Sequence, residues 1–571
     1  MDKKALIRRS FAVAALLSVL HAWADPSRPG AAPAKAAQPA AREEAGRRMY
    51  MDGLLPSGQP MSGIVQGDIA LTGQQVICGR CHRRSGIGAP EGQNVAPPVV
   101  GEILFNPLRI PTSKPPLSPE LRPAYTDETL KRAIREGISS TGEPLGPLMP
   151  RYPLSDEQLD DLIAYLNTLN TNPDPGVTER DIHFATVIAG PVSPADRKAF
   201  LDVFETYFDQ KNRETRHETF RAEHAPWHKA WLMQPYRKWV LHLWELQGPP
   251  DSWDAQLDAL YQRQPVFAVI SGLSMGPWEP IHRFCEQRQM PCVLPITDLP
   301  VSNESDFYSI YFNRGMDLEA DTVAEHLTTA QGNPTTVFQV YPANDARALE
   351  AARELHGRLE AQSVAVKDLP FESDTMDDDE WKGFVEQATG ATAVLWLGPD
   401  ALQPLWNQWR SSDSRSDSGS DSRGPSRVYL STSLFGTDPG SLPEALWKRV
   451  YLVHAAALPD RIPTLLARST GWLKAKGIYA PSCEKVQANA FLSLKITGEA
   501  IKRIRGFFKR DYFLERIEHM AENAVYTSVY PKVSLAPGQR FLSRGAYITQ
   551  IQSGQPDGLV ARSDWLVPSA D

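Results

Sequence analysis

The sequence predicts a multidomain chain: a first compact segment with helical patterning, then a long α/β segment with parallel sheets. Three observations predict it. The chain has 571 residues, more than one hydrophobic core usually covers. A Pro/Gly/Asn-rich stretch, "NTNPDPGVTERD", separates the two parts near residues 173–180. Beyond it, near-continuous apolar runs alternate with amphipathic helical patterns, as in sheets covered on both faces.

In chain order, Met1–Arg9 carries Lys3, Lys4, Arg8 and Arg9, and "FAVAALLSVLHAWA" follows. A basic start, a short apolar run and a small-x-small end predict an export signal over residues 1–24, cleaved after Ala24. "RRSF" also resembles a twin-arginine signal. The apolar run is short for a membrane anchor. The mature chain is therefore expected in the periplasm and not spanning a membrane. Residues 25–42 are rich in Ala and Pro and read as a flexible tether.

The compact segment of residues 43–172 contains "CGRCHRRSGIG". Cys78, Cys81 and His82 form C-x-x-C-H, which in an exported chain points to covalent haem attachment. Two thiols three positions apart reach two vinyl groups of one porphyrin, and the next imidazole then lies at the iron. A structural zinc site wants a second ligand pair, and no second C-x-x-C exists. A thioredoxin-like pair would follow a strand in a βαβ unit. Met149, in "PLGPLMPRYPLSDEQLDDLIAYLNTL", precedes an N-cap at Ser155 and an amphipathic helix.

On these residues, with "EAGRRMYMDG", "APPVVG" and "TDETLKRAIREG", the segment resembles a class I c-type cytochrome. The resemblance implies a small all-α domain holding one haem c, with His82 and Met149 as axial ligands and a carbonyl near Pro97 or Pro98 orienting the His82 ring. A thioether ligand and a filled sixth position suit single-electron transfer, with no open site for a substrate. The stretch from Met51 to Ile77 is longer than in a minimal cytochrome. Arg83 and Arg84 read either as partners of a propionate or a docking face, or as solvated charges.

Residues 181–555 supply the strand candidates 182–190, 238–246, 266–273, 292–297, 335–342, 391–398 and 427–433. Helical periodicity falls in "SWDAQLDALYQRQ", "EPIHRFCEQRQ" and "NDARALEAARELHGRLEAQ". Residues 411–426 lack apolar side chains and read as a disordered insertion, and 556–571 as a tail. "IHFATVIAGP", "VFAVISGLSMGPWEPIHRFCEQRQMPCVLPITD" and "DFYSIYFNRGMDLEADTVAEHL" make this part similar to type I periplasmic binding proteins of the branched-chain amino-acid transporter group. That resemblance implies two lobes closing on a small carboxylate or amino acid. Ser271, Ser274 and Trp278 are the candidate ligand-binding residues, with a helix N-terminus near Pro277; the same residues also read as capping and packing.

His217, His224 and His228 invite a metal reading, but no carboxylate or cysteine stands at clear ligand spacing. No nucleophile elbow, Walker loop, dinucleotide fingerprint or HExxH is present, and no catalytic role is expected. A net charge of −8 gives no basic field for nucleic acid. Of five cysteines, Cys285 and Cys292 can bridge a helix end to the next strand, and a pairing of Cys483 with either stays open. The expected partner is a periplasmic redox protein: a dehydrogenase, cytochrome or oxidase.

Overall fold

The computed structural model describes residues 34–91, 94–109, 120–224, 237–301, 303, 305–329, 334–373, 375–413, 424–504, 506–521, 528–536, 538–552 and 558–569. The expected signal, the first part of the tether and His228 lie outside these residues, as do residues 414–423 of the Ser/Asp-rich insertion and parts of the tail. The side chains of His217 and His224 also lie outside the description. No helix among the described residues is long and apolar enough to cross a membrane.

Helix α1 (Ala34–Asp52) begins inside the Ala/Pro-rich stretch expected to be a flexible tether. Alanine has the highest helix propensity, which accounts for the difference. Then come the antiparallel pair β1 (Ser62–Val65) and β2 (Ile69–Thr72), α2 (Cys78–His82), the pair β3 (Pro90–Glu91) and β4 (Asn94–Val95), and α3 (Gly101–Leu104). A third pair, β5 (Leu108–Arg109) and β6 (Glu120–Arg122), precedes α4 (Asp127–Glu136) and α5 (Asp156–Thr168). The segment is thus helical with three short hairpins, where a purely helical one was expected.

The α1–α5 crossing depends on a missing side chain. A Cβ at Gly46 would sit 2.1 Å from the Asp161 carbonyl oxygen. Thr126 and Ser155 each cap their helices through reciprocal bonds with the third residue on, so the expected N-cap at Ser155 is formed. Met49, Tyr50, Met61, Tyr152, Leu159 and Leu162 are buried in the common core, with Cys78 and Met149 packed against it.

The second part builds two sheets. β7 (Asp181–Ala189) is followed by α6 (Pro194–His224), β8 (Lys238–Leu246), α7 (Trp253–Arg263), β9 (Ala268–Ile270), β10 (Leu273–Ser274), α8 (Glu279–Gln287), β11 (Cys292–Val293) and β12 (Ser309–Ile310). β8 and β9 flank β7, β11 and β12 follow outward, and every pairing is parallel. β9 and β10 are one strand broken by a bulge: Phe184 pairs with Ala268, but Ile188 pairs with Leu273.

α9 (Gly315–Thr329) leads to β13 (Thr336–Pro342), α10 (Ala346–Ala361), β14 (Ala365–Phe371), α11 (Asp378–Gln387), β15 (Thr392–Leu395), α12 (Pro399–Asp413), β16 (Arg427–Ser431), α13 (Thr432–Phe435) and β17 (Val450–His454). This second sheet runs β14-β13-β15-β16-β17, again parallel and with the first strand inside the second. α14 (Ile462–Leu465), α15 (Ala467–Lys476), α16 (Glu484–Arg503) and α17 (Arg510–Ala521) return to pack on the first sheet. β18 (Tyr547–Ile551) and β19 (Leu559–Ala561) close the second sheet antiparallel. The chain therefore crosses between the two cores three times: between Phe312 and Met316, between Val453 and Leu466, and between Leu542 and Ala546. Two doubly wound lobes joined by several crossings are the two-lobed parallel α/β architecture expected from the sequence.

Candidate functional site

The C-x-x-C-H segment folds as the short helix α2, which places His82 one turn past Cys78. The His82 ring is buried at 7% exposure, and its Nδ1 lies 2.8 Å from the Pro97 carbonyl oxygen. A carbonyl partner holds the proton on Nδ1 and leaves Nε2 as the metal-binding nitrogen. Burial lowers the His82 pKa, which keeps the ring neutral, as ligation requires.

Gly88 makes this contact possible. Its φ is +77°, and a Cβ there would lie 2.2 Å from the Ala96 carbonyl oxygen and 3.0 Å from that of Pro97. Its own N–H donates to the His82 carbonyl at 3.0 Å. The Tyr50 hydroxyl donates to the Arg83 carbonyl at 2.7 Å, and the Tyr152 hydroxyl to Val76 at 2.7 Å, so both ends of the attachment helix are tied to the core. Cys78 is half-buried, with its thiol pushed up to about 11 by burial, and Cys81 is exposed.

Met149 sits on a turn closed by its N–H to Gly146. Arg151 braces that turn, donating to the carbonyls of Met149 and Leu145. The long stretch before Cys78 braces it as well. Ile64 of β1 exchanges backbone bonds with Arg151 at 2.9 and 2.8 Å, and Gln66 donates to the Pro147 carbonyl. The sequence flagged this stretch as a departure; the structure uses it as a strap over the methionine turn.

The donor set fits a c-type haem. A neutral imidazole is oriented by a carbonyl, two thiols lie on one short helix, and a thioether packs against the same core.

In the second part, Ser271 has φ +54° at the bulge between β9 and β10, and its buried Oγ has no hydrogen-bond partner among the described residues. Ser274 is also buried, and its hydroxyl is engaged with the backbone of Gly276. The Trp278 ring is fully buried in the core beneath α8, with no partner at Nε1 among the described residues, rather than lining an open wall. Gly272 touches it: a Cβ there would lie 2.4 Å from the ring. The helix begins at Glu279, with Trp278 as its N-cap residue, two positions beyond the Pro277 expected.

Sequence reasoning missed several buried polar groups. His282 and Glu286, four apart on α8, meet Asp306, with donor atoms within 4.8 Å of one another. These atoms already engage one another and the backbone: His282 Nε2 lies 3.1 Å from Asp306, and Glu286 accepts from the N–H groups of Phe307 and Tyr308. The i,i+4 spacing on one helix was the available signal. Glu319 of α9 is also buried; it accepts from Ser433 at 2.7 Å and is pushed up to about 7 by burial. Cys285 and Cys292 are neighbouring buried thiols of one core, and Cys483 lies elsewhere, beside Asp196.

The two parts meet at the attachment loop. Arg84 pairs with Asp511 of α17 at 3.2 Å and stacks over Phe307 and Tyr308. Ser85 donates to Glu515 of α17 through both its N–H and its hydroxyl, at 2.8 and 2.7 Å. Ile87 and Val100 are buried in the same core as Phe513, Leu514 and Ile517.

Residues 71–170 match the family model for cytochrome c, a family that implies covalent haem c. No curated protein matches the chain at a significant level. Similar solved structures include a fatty acid ABC transporter substrate-binding protein from Thermomonospora curvata, at 14% identity, covering 69% of this chain and 95% of that one, TM-score 0.47. A possible leucine/isoleucine/valine-binding protein from Rhodopirellula baltica SH 1 has 13% identity, 67% and 97% coverage and TM-score 0.48. A branched chain amino acid ABC transporter from Thermus thermophilus with bound valine has 12% identity, 68% and 97% coverage and TM-score 0.48.

Proposed function

We propose that this chain is an exported mono-haem c-type cytochrome that carries single electrons, fused to a two-lobed domain for small-molecule recognition or partner docking. The observation that carries the reading is His82, buried and held through Nδ1 by the Pro97 carbonyl within a segment matched to cytochrome c. Bound haem supplies a one-electron iron couple. Cys78 and Cys81 would anchor it, and His82 Nε2 and the Met149 thioether, on its strapped turn, would hold the iron. Two protein ligands at the iron would suit passage of electrons to and from another periplasmic redox protein.

The test is the visible spectrum of the exported protein, oxidised and reduced. Wild type is expected to show a c-type spectrum with the weak far-red sulfur-to-iron band, and Met149→Ala to lose that band while keeping covalent haem. A wild-type protein with haem but no such band would overturn Met149 as ligand.

A second reading is a binding or sensing protein of an uptake system with an accessory haem. It is favoured by Ser274 and Gly276 at the carboxyl ends of β7 and β10, the point where strand order reverses and ligands bind in such sheets. Calorimetry with a panel of amino acids and small carboxylates distinguishes the two: heat with one ligand supports sensing, and none supports docking.

A further inference from the structure

We propose that Glu515, in the second domain, is a positioning and charge-compensating residue for the haem centre of the first, holding the attachment loop through Ser85 and taking up a proton when the iron is reduced. The proposal rests on the haem reading above and extends it to a residue 430 positions away in sequence.

The geometry comes first. Glu515 is 4% exposed, and both its oxygens accept bonds from one residue, Ser85, three positions after His82. The Ser85 hydroxyl also accepts from the Ile87 N–H at 3.2 Å, so the carboxylate organises the whole turn leaving the attachment helix. Apolar packing of Ile87 and Val100 against α17 keeps water from the pair. A buried carboxylate in so dry a place responds strongly to any nearby change of charge, because little solvent screens it.

The groups facing Glu515 set its response. From the attachment loop comes Arg84, whose charge is committed to Asp511 at 3.2 Å. From α1 comes Tyr50, bonded to the Arg83 carbonyl and itself raised by burial. From α5 comes Tyr165, likewise raised by burial and influenced by Arg84 and Asp511. On α17 itself stand Asp511, bonded by the Tyr308 hydroxyl at 2.7 Å, and Glu518, paired with Arg540. Burial pushes Glu515 up to about 8; the Ser85 bonds oppose this, and Asp511 and Glu518 add to it. Arg84 and Arg540 are both committed to other carboxylates, and a proton is the counter-charge this proposal assigns.

The balance is one electron and one proton. A one-electron donor, dithionite in the test, reduces ferric iron to ferrous, and one solvent proton joins a Glu515 oxygen. No bond between heavy atoms forms or breaks. Loss of one positive charge at iron raises the affinity of a neighbouring carboxylate for its proton, and by linkage the reduction potential then falls with rising pH.

The experiment is spectroelectrochemical titration of the full-length haem protein across the neutral to mildly alkaline range, with infrared redox-difference spectra. Wild type is expected to show a limb approaching tenfold in the redox equilibrium per pH unit, about 59 mV, and a protonated-carboxyl band on reduction. Glu515→Gln should give a flat profile near the wild-type acid value, without that band. Ser85→Ala, which keeps the carboxylate and removes one donor that lowers its pKa, should move the limb to higher pH, and it serves also where the Gln variant fails to fold. A flat wild-type profile, or a limb unchanged in Glu515→Gln and Ser85→Ala, overturns this inference while leaving the haem reading standing. Absence of covalent haem from the purified protein overturns both.

Discussion

Gly88 and Ser85 lie in one turn and show two ways in which a single residue can shape the proposed haem centre. Gly88 does so by having no side chain. Its left-handed backbone and the 2.2 Å that a Cβ would leave to the Ala96 carbonyl let the Pro97 loop come down on the His82 ring. Gly88→Ala is expected to destabilise the first segment by about 2 kcal/mol and to loosen the His82–Pro97 contact. Denaturant melts followed in the visible spectrum would show both, and an unchanged midpoint would contradict the role given to it. The haem reading of Cys78, Cys81 and His82 can be made from sequence because covalent attachment demands contiguous residues at fixed spacing. Glu515 was illegible because nothing local in "DYFLERIEHM" distinguishes a carboxylate aimed at another domain from one facing solvent.

At the scale of elements, patterning worked where a strand carries a long apolar run and failed where the run is short or broken by charge. β7, β8, β13 and β16 fall where near-continuous apolar runs place them. β14 was missed: "AVKDLPF" pairs only with β13, so it is an edge strand that tolerates Lys367, Asp368 and Pro370. β12 was missed because only Ser309 and Ile310 pair, too few to show a period. The helix after Met149 was read correctly down to its cap. Ser155 accepts from the Gln158 N–H, and the Gln158 side chain accepts from the Ser155 N–H. Ser155→Ala should cost about 1 kcal/mol, read as a lower midpoint in denaturant unfolding; Ser155→Asp should restore it. The hairpin β1–β2 carries a different lesson. Its sequence marked only extra length, and its task of strapping the methionine turn exists through backbone bonds to Arg151 and Pro147.

Across the whole molecule, buried carboxyl groups dominate the expected pH response. Burial pushes Asp317 and Glu319 up to about 7, Asp321 to about 6 and Glu515 to about 8. Each binds its proton more tightly folded than unfolded, so the stability it contributes is full at low pH and lost as pH rises through those values. His454 acts oppositely: burial holds it down to about 4, so its contribution is full above the ordinary histidine value near 6.5 and lost as pH falls towards 4. His82, His242 and His326, each lowered by burial, act in the same sense as His454, but the loss carried by the four carboxyls is the larger, so the urea midpoint is expected to fall between about pH 5 and about pH 8. A midpoint that rises across that range would mean these carboxyls are ionised in the folded protein.

The linker is part of the same body. Lys509 pairs with Asp174, and the Arg510 guanidinium is spread over the carbonyls of Phe267, Val266, Pro175 and Arg288. The Pro/Gly/Asn-rich stretch that marks a boundary in sequence is thereby pinned to α17, the helix that also holds the attachment loop.

The sequence by itself determined the C-x-x-C-H motif on which the haem proposal rests and the parallel α/β architecture of the second part, because attachment spacing and strand burial are written in short-range spacing and period. Only the tertiary structure decided what the haem segment rests on. Arg84, Ser85, Asp511 and Glu515 lie more than four hundred residues apart across the two parts, and they become a buried, water-poor set only when α17 closes over the attachment loop. Electrostatic strength there comes from exclusion of solvent, which belongs to the packed surface and to no stretch of sequence.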